Sequence, residues 1–354
     1  MAIPTEPIGS IPRTPALIEA MQAFGAGRIS QADLDRAGEE AVRDTIAAFE
    51  ATGSPVITDG EQTKSSFATY PLHGLTNLAP DGVTIPFADG HTRQLPRLSA
   101  GPFRYGMFAA TYLAAARRHA HRPIKQALIA PSALSLLYPA DGIAGYSRDA
   151  FLDDLKREAE SDIRHALDAG AHNVQLDFTE GRLAVKLDPC LRLLRTFIGF
   201  NNEVLGQFSD ADRQRLGVHT CPGGDRDSTH SADVDYAQLL PDLFQMQVGN
   251  FYVQLASERD RPRVLGLIKP LVKPSQRVFV GVTDPIDPQV ETPYIVRDRV
   301  LEAAKVIPVD RLGTTDDCGF SPFADDTSTA RQTAFDKIHA RVEGTALASR
   351  HLGL

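Results

Sequence analysis

Tryptophan is absent from the 354 residues, and cysteine occurs only as Cys190, Cys221 and Cys318. So few cysteines, odd in number, exclude a disulfide scaffold and fit a reducing cytoplasm, where a cysteine is catalytic, metal-bound or buried. Long apolar runs are missing too: no stretch approaches the ~18 residues that a membrane-spanning helix needs. The opening MAIPTEPIGSIPR lacks the apolar core of a secretion signal. Basic excess is lacking as well, since 37 Lys+Arg against 45 Asp+Glu leave a net charge of −8. Such a chain is a poor match for nucleic acid or an anionic membrane. The expectation is a cytoplasmic protein with neither as partner, its oligomeric state left open. What is present, 42% hydrophobic and 23% charged residues, is ordinary for a globular chain with a full-sized core.

From residue 120 onward, two textures alternate. Short apolar, β-branched runs occupy 124–131, 172–178, 216–221, 250–256, 277–284 and 310–320. Stretches with apolar residues at i, i+3, i+4 and i+7 lie between or after them, at 148–170, 234–246, 291–307 and 327–348. Asp149, Thr292 and Thr327 or Ser328 are the expected N-caps, and Gly170 an expected C-cap. Two further units fit upstream: a strand within 4–13 with a helix over 31–53, then a strand over 54–62. Strand-then-helix repetition is the signature of a parallel sheet. An open doubly wound sheet would also satisfy it, but no Gly-rich dinucleotide loop follows any strand. The expected fold is therefore α/β, a single (β/α)₈ TIM barrel spanning 1–354. Residues 63–123, rich in turn formers, read as an insertion after strand two that partly covers one mouth.

A barrel carries its chemistry at the C-terminal strand ends. Those ends here read Ile8-Gly9-Ser10, Asp59-Gly60-Glu61-Gln62, Gln175-Leu176-Asp177, His219-Thr220-Cys221, Gln254, Thr283-Asp284 and Asp316-Asp317-Cys318-Gly319. In His219-x-Cys221 the two side chains point to one side of a strand, so imidazole and thiol can meet on one ion. Cys318 from another strand end would make a His/Cys/Cys set with one tetrahedral position open, as in catalytic zinc sites. The bland alternative is two buried cysteines and an unrelated histidine. Cys190 has no His or acidic partner nearby and reads as packing.

These pieces, in order, resemble the catalytic barrel of the cobalamin-independent methionine synthase family: Ile8-Gly9-Ser10-x-x-Arg13, Asp59-Gly60-Glu61, Ala130-Pro131-Ser132, Gln175-Leu176-Asp177, His219-x-Cys221 and Asp317-Cys318-Gly319. The resemblance implies Zn²⁺ on His219, Cys221 and Cys318. Gln254 stands where the family has a fourth ligand, a Glu, with Glu258 a shifted alternative. It implies a thiol substrate, homocysteine, whose carboxylate meets Ile8, Gly9 and Ser10 and whose ammonium meets Glu61 and Asp177. The implied activity is zinc-dependent methyl transfer to that thiol, with Glu61, Asp177 and His230 as catalytic candidates. His230, following Asp227-Ser228-Thr229, would serve the leaving group or be a surface residue. The methyl donor would be a folate, a corrinoid or a corrinoid protein; the missing tryptophan removes the family's stacking platform for a pterin. Related alternatives are thiol addition to an epoxide, as in coenzyme M transfer, and a zinc hydrolase using activated water.

Overall fold

A computed structural model describes residues 2–224 and 229–354; Asp227 and Ser228, just before His230, lie outside them. Among the described residues, six parallel strands lie side by side in chain order: Gln126–Ile129, Val174–Asp177, Leu216–Thr220, Asn250–Val253, Arg277–Thr283 and Leu312–Asp316. Nearly every strand residue is buried, because helices cover one face and barrel-interior side chains the other.

The remaining gap is closed by two segments that hold single bridges rather than ladders. Thr5 bridges Thr314 at one edge, and Ile57 bridges Ile124 at the other. The two segments then meet each other: Ile11 N donates to the Gly60 carbonyl at 3.0 Å and Thr58 Oγ1 to the Gly9 carbonyl at 2.8 Å. That completes a (β/α)₈ barrel. The first segment is weakly paired because Pro4, Pro7 and Pro12 have no N–H to give a ladder.

Helices start where the local capping chemistry is complete. Ser30 and Asp33 form a capping box for Gln31–Ala51, and Thr292 caps Pro293–Ala304. Ser147, rather than the expected Asp149, caps Arg148–Asp168. The last helix, Arg331–His351, starts beyond Thr327 and Ser328 at Ala330, with no side-chain cap. Gly170 follows the C-cap Ala169 with φ +84°, where only glycine is unstrained. Two helices after the second of the six strands, Glu180–Leu187 and Arg192–Leu205, escaped the periodicity reading. Among the described residues no helix is long and apolar enough to cross a membrane.

The segment after the second barrel position folds as two antiparallel pairs, Leu78–Ala79 with Arg97–Leu98 and Thr84–Pro86 with Thr92–Gln94, then the helix Ala110–Arg117. The second pair lies over the barrel mouth. Arg93 stacks 3.9 Å from the Phe323 ring centroid and pairs with Asp325 and Asp326, pinning the hairpin to the loop that follows Cys318.

Candidate functional site

Period-two alternation carries His219 into the barrel end, and the chain turns immediately after it at Cys221. Cys318 arrives from the loop two residues past the Leu312–Asp316 strand. The ligand atoms of His219, Cys221 and Cys318 all lie within 4.8 Å of one another, and all three residues are buried. His219 Nε2 is 3.4 Å from Cys318 Sγ, while its Nδ1 faces the Tyr252 carbonyl at 3.3 Å. That carbonyl holds the tautomer that leaves Nε2 free for an ion. Burial alone would raise the Cys221 thiol, but the Cys318 hydrogen bond and the His219 charge outweigh it and hold the thiol well below its usual range. Two sulfurs and an imidazole converging in a buried pocket fit a zinc-type ion with a position left for a further ligand.

The close approach of the Cys318 loop depends on Gly319, where an added Cβ would stand 2.2 Å from Ser10 Oγ. Ser10 Oγ accepts from the Ser321 amide at 3.2 Å, joining the first barrel segment to this loop. Gly60 and Glu61 both have positive φ, +66° and +56°, which turns the second segment sharply and aims Glu61 inward. For a glutamate that conformation is strained by about 1–3 kcal/mol and is found mostly at functional turns. Lys64 Nζ donates to Glu61 Oε1 at 3.2 Å and to the Ala127 carbonyl at 2.9 Å. Burial opposes the lysine's charge, yet Glu61 and Asp59 outweigh it and push Lys64 up to about 12. Asp177 sits beside His219 in the parallel register and accepts from Gln175 Nε2 at 2.7 Å. Burial, with Glu61 adding to it, raises Asp177 to about 7.

Ile8, Gly9, Ser10, Glu61, Asp177, His219, His230 and Cys318 line one cavity of about 560 Å³. Phe67, Phe87, Leu183, Phe197 and Phe323 supply much of its apolar wall. His230 stands in that wall with its ring edge-on to Phe87, its Nδ1 buried without a partner. Burial lowers its pKa, so its imidazole is neutral.

Gln254 is placed differently. Its Oε1 accepts from Arg182 Nη1 at 2.7 Å and its Nε2 donates to Ser257 Oγ at 2.6 Å, so both ends of the amide already have hydrogen-bond partners. Glu258 accepts from the same Arg182 nitrogen at 3.2 Å. Cys190 is exposed rather than packed, since the chain passes it outside the helix Arg192–Leu205. Sequence reasoning missed Arg182, Glu180 and Lys64. The signal for Lys64 was its i+3 spacing from Glu61, and for the other two their place in the first turn after a strand end.

Residues 3–340 match the family described as cobalamin-independent synthase, catalytic domain. A methionine synthase from Sulfurisphaera tokodaii is 22% identical over 350 residues, 99% of this chain and 94% of that protein. A 5-methyltetrahydropteroyltriglutamate–homocysteine methyltransferase from Nitratidesulfovibrio vulgaris is 26% identical over 330 residues, 90% of this chain but 38% of that protein. The fold is shared with a B12-independent methionine synthase from Shewanella sp. W3-18-1 in complex with selenomethionine, at TM-score 0.74, 19% identity and 99% coverage of each chain. With nearly its whole length matched by the family and the same barrel architecture, the chain belongs to the cobalamin-independent synthase catalytic-domain family.

Proposed function

We propose that this protein is a zinc-dependent methyltransferase that methylates the thiol of an amino-acid acceptor such as homocysteine. The observation that carries this reading is one cavity lined by two of the three metal-type ligands, His219 and Cys318, together with Glu61 and Asp177. His219, Cys221 and Cys318 would hold the zinc, which when bound lowers the pKa of an acceptor thiol and keeps it as a thiolate. Asp177 and Glu61 offer carboxylates to the acceptor's ammonium. Ser10 and the backbone at Ile8 and Gly9 receive its carboxylate. The phenylalanine wall excludes water from the methyl carbon. The family is cobalamin-independent and one relative's name specifies a methylated folate, so a folate is the donor class favoured over a corrinoid or corrinoid protein. X-ray absorption of the zinc-loaded protein, with and without homocysteine, tests the reading. A new zinc–sulfur bond and methionine formed from 5-methyltetrahydrofolate are expected; an unchanged zinc shell overturns it.

The Arg182 contact sets the expected behaviour of Gln254→Glu. A carboxylate there meets the Arg182 guanidinium, already 2.7 Å from the amide oxygen, and forms an ion pair rather than a metal bond. Zinc affinity and the pH of thiol-proton release are therefore expected to stay at wild-type values. In Gln254→Glu combined with Arg182→Met, the carboxylate loses that partner, and zinc should bind more tightly with an added oxygen neighbour in its absorption spectrum. Tighter zinc in the single variant would show that position 254 reaches the metal unaided.

A further inference from the structure

One more acid faces the cavity, outside the constellation used so far. Glu180 opens the helix Glu180–Leu187 and is 7% exposed. Ser132 Oγ donates to its Oε1. Ser132 is itself fixed by Asn201, whose Oδ1 accepts from the Ser132 amide at 3.0 Å and whose Nδ2 donates to Ser132 Oγ at 2.9 Å. One carboxyl oxygen is thus built into a rigid network. The other, Oε2, is buried and has no hydrogen-bond partner, while the residue lines the cavity beside Leu183 and Phe197. A buried polar atom without a partner is uncommon, because it forfeits a hydrogen bond it had in water. Asp177, the charged group facing it, has the same sign. Burial, with Asp177 adding to it, outweighs Ser132 and the nearby backbone amides and raises Glu180 to about 8. That shift favours the un-ionised acid at neutral pH, and with Oε1 taken by Ser132 the unpartnered Oε2 is the oxygen with room for the proton.

We propose that Glu180 is the acid that protonates the departing heteroatom of the methyl donor, a molecule carrying its methyl on nitrogen or oxygen and presenting a ring to the Leu183 and Phe197 wall. The inference rests on the methyltransferase reading. In the step, the acceptor sulfur forms a bond to the methyl carbon as the carbon–heteroatom bond breaks. The bonding pair goes to the heteroatom, which takes the proton from Glu180 Oε2. Glu180 is left as a carboxylate and regains a proton from water when product leaves. The acceptor thiol loses its own proton on binding, so the sum is thiol plus methylated donor to thioether plus protonated donor. His230, neutral in the same wall, has no comparable proton to give.

Glu180→Gln is the test, because glutamine keeps the shape and the oxygen that accepts from Ser132 but has no proton to transfer. The full-length zinc-loaded protein is assayed with homocysteine and two methyl sources. 5-Methyltetrahydrofolate leaves through nitrogen and needs a proton; methyl iodide leaves as iodide and needs none. The expected result is a turnover loss of about a hundredfold with the folate, the usual size of a general-acid contribution. Alkylation by methyl iodide should be unchanged, as should the thermal melt. An equal loss with both sources, or none with the folate, overturns the assignment. An infrared difference spectrum between wild type and Glu180→Gln at neutral pH gives a readout without turnover. The carbonyl band of an un-ionised carboxylic acid is expected in wild type only, and its absence overturns the proposal in every case. Wild type that is alkylated by methyl iodide yet inert to the folate would sink the folate reading, and wild type inert to both would sink thiol methylation. In either event the Glu180 step falls with that reading, whereas a missing infrared band beside normal folate turnover overturns Glu180 alone.

Discussion

Replacing Cys221 or Cys318 by serine is expected to strip the protein of nearly all its zinc and to lower thiol methylation by about a thousandfold or more. A serine hydroxyl stays protonated at neutral pH, so each variant removes an anionic, soft ligand and leaves an imidazole with one thiolate. Both cysteines are buried, and Cys318 Sγ lies 3.4 Å from the His219 ring nitrogen, so a replacement ligand from elsewhere in the chain would have to displace the packed barrel mouth. Cys190→Ser is the control, since that thiol is exposed and outside the trio. Metal analysis after purification under reducing conditions should give about one zinc per chain for wild type and Cys190→Ser. Equal loss in all three variants would refute the ligand assignment. Methyl transfer surviving in a zinc-free Cys221→Ser protein would refute the role of the metal.

What made the site readable was geometry that survives in one dimension. His219 lies in the last two residues of its strand and Cys221 is the first residue beyond it, so the two-residue spacing sends both toward the same barrel end. The six central strands were readable because strands of a covered parallel sheet are unbroken apolar runs. The first two barrel positions were harder. Their prolines reduce the pairing to single bridges, yet they supply Ser10 and Glu61. Other features depend on contacts far apart in sequence. Arg182 takes the Gln254 oxygen across 72 positions, and Arg93 reaches Asp325 across 232. Periodicity carries no trace of such pairings. The family resemblance puts Gln254 at a ligand position; only the fold reveals the guanidinium that occupies its oxygen. Glu180 was overlooked for a related reason, because its burial comes from the Ser132–Asn201 network rather than from its own neighbours in the chain.

Glu61 holds Lys64 in the structure and, in the proposed function, also meets the acceptor's ammonium; one pair of variants separates the two. Lys64 is 1% exposed at its side chain, and Glu61 is the carboxylate it touches, with the Tyr70 ring 4.9 Å beneath its ammonium. Glu61→Gln leaves that ammonium buried without its counter-charge, and breaking a buried pair this way costs about 3–5 kcal/mol of folding stability. The stabilisation has a defined pH window. Lys64 is raised above its usual 10.5 to about 12, so the pair's contribution is complete below pH 10.5 and fades as pH climbs through 12. Glu61→Gln should therefore unfold at lower denaturant and lose part of the wild-type decline in stability at alkaline pH. Combining it with Lys64→Met removes the stranded charge and should recover most of the lost stability, since an apolar pair of similar volume is tolerated where an ion pair stood. On the proposed function homocysteine affinity should not recover, because Glu61 would be one of the two carboxylates that meet the acceptor's ammonium. A double variant that regains both stability and affinity would assign Glu61 to the fold alone, and denaturant titration beside homocysteine binding distinguishes the outcomes.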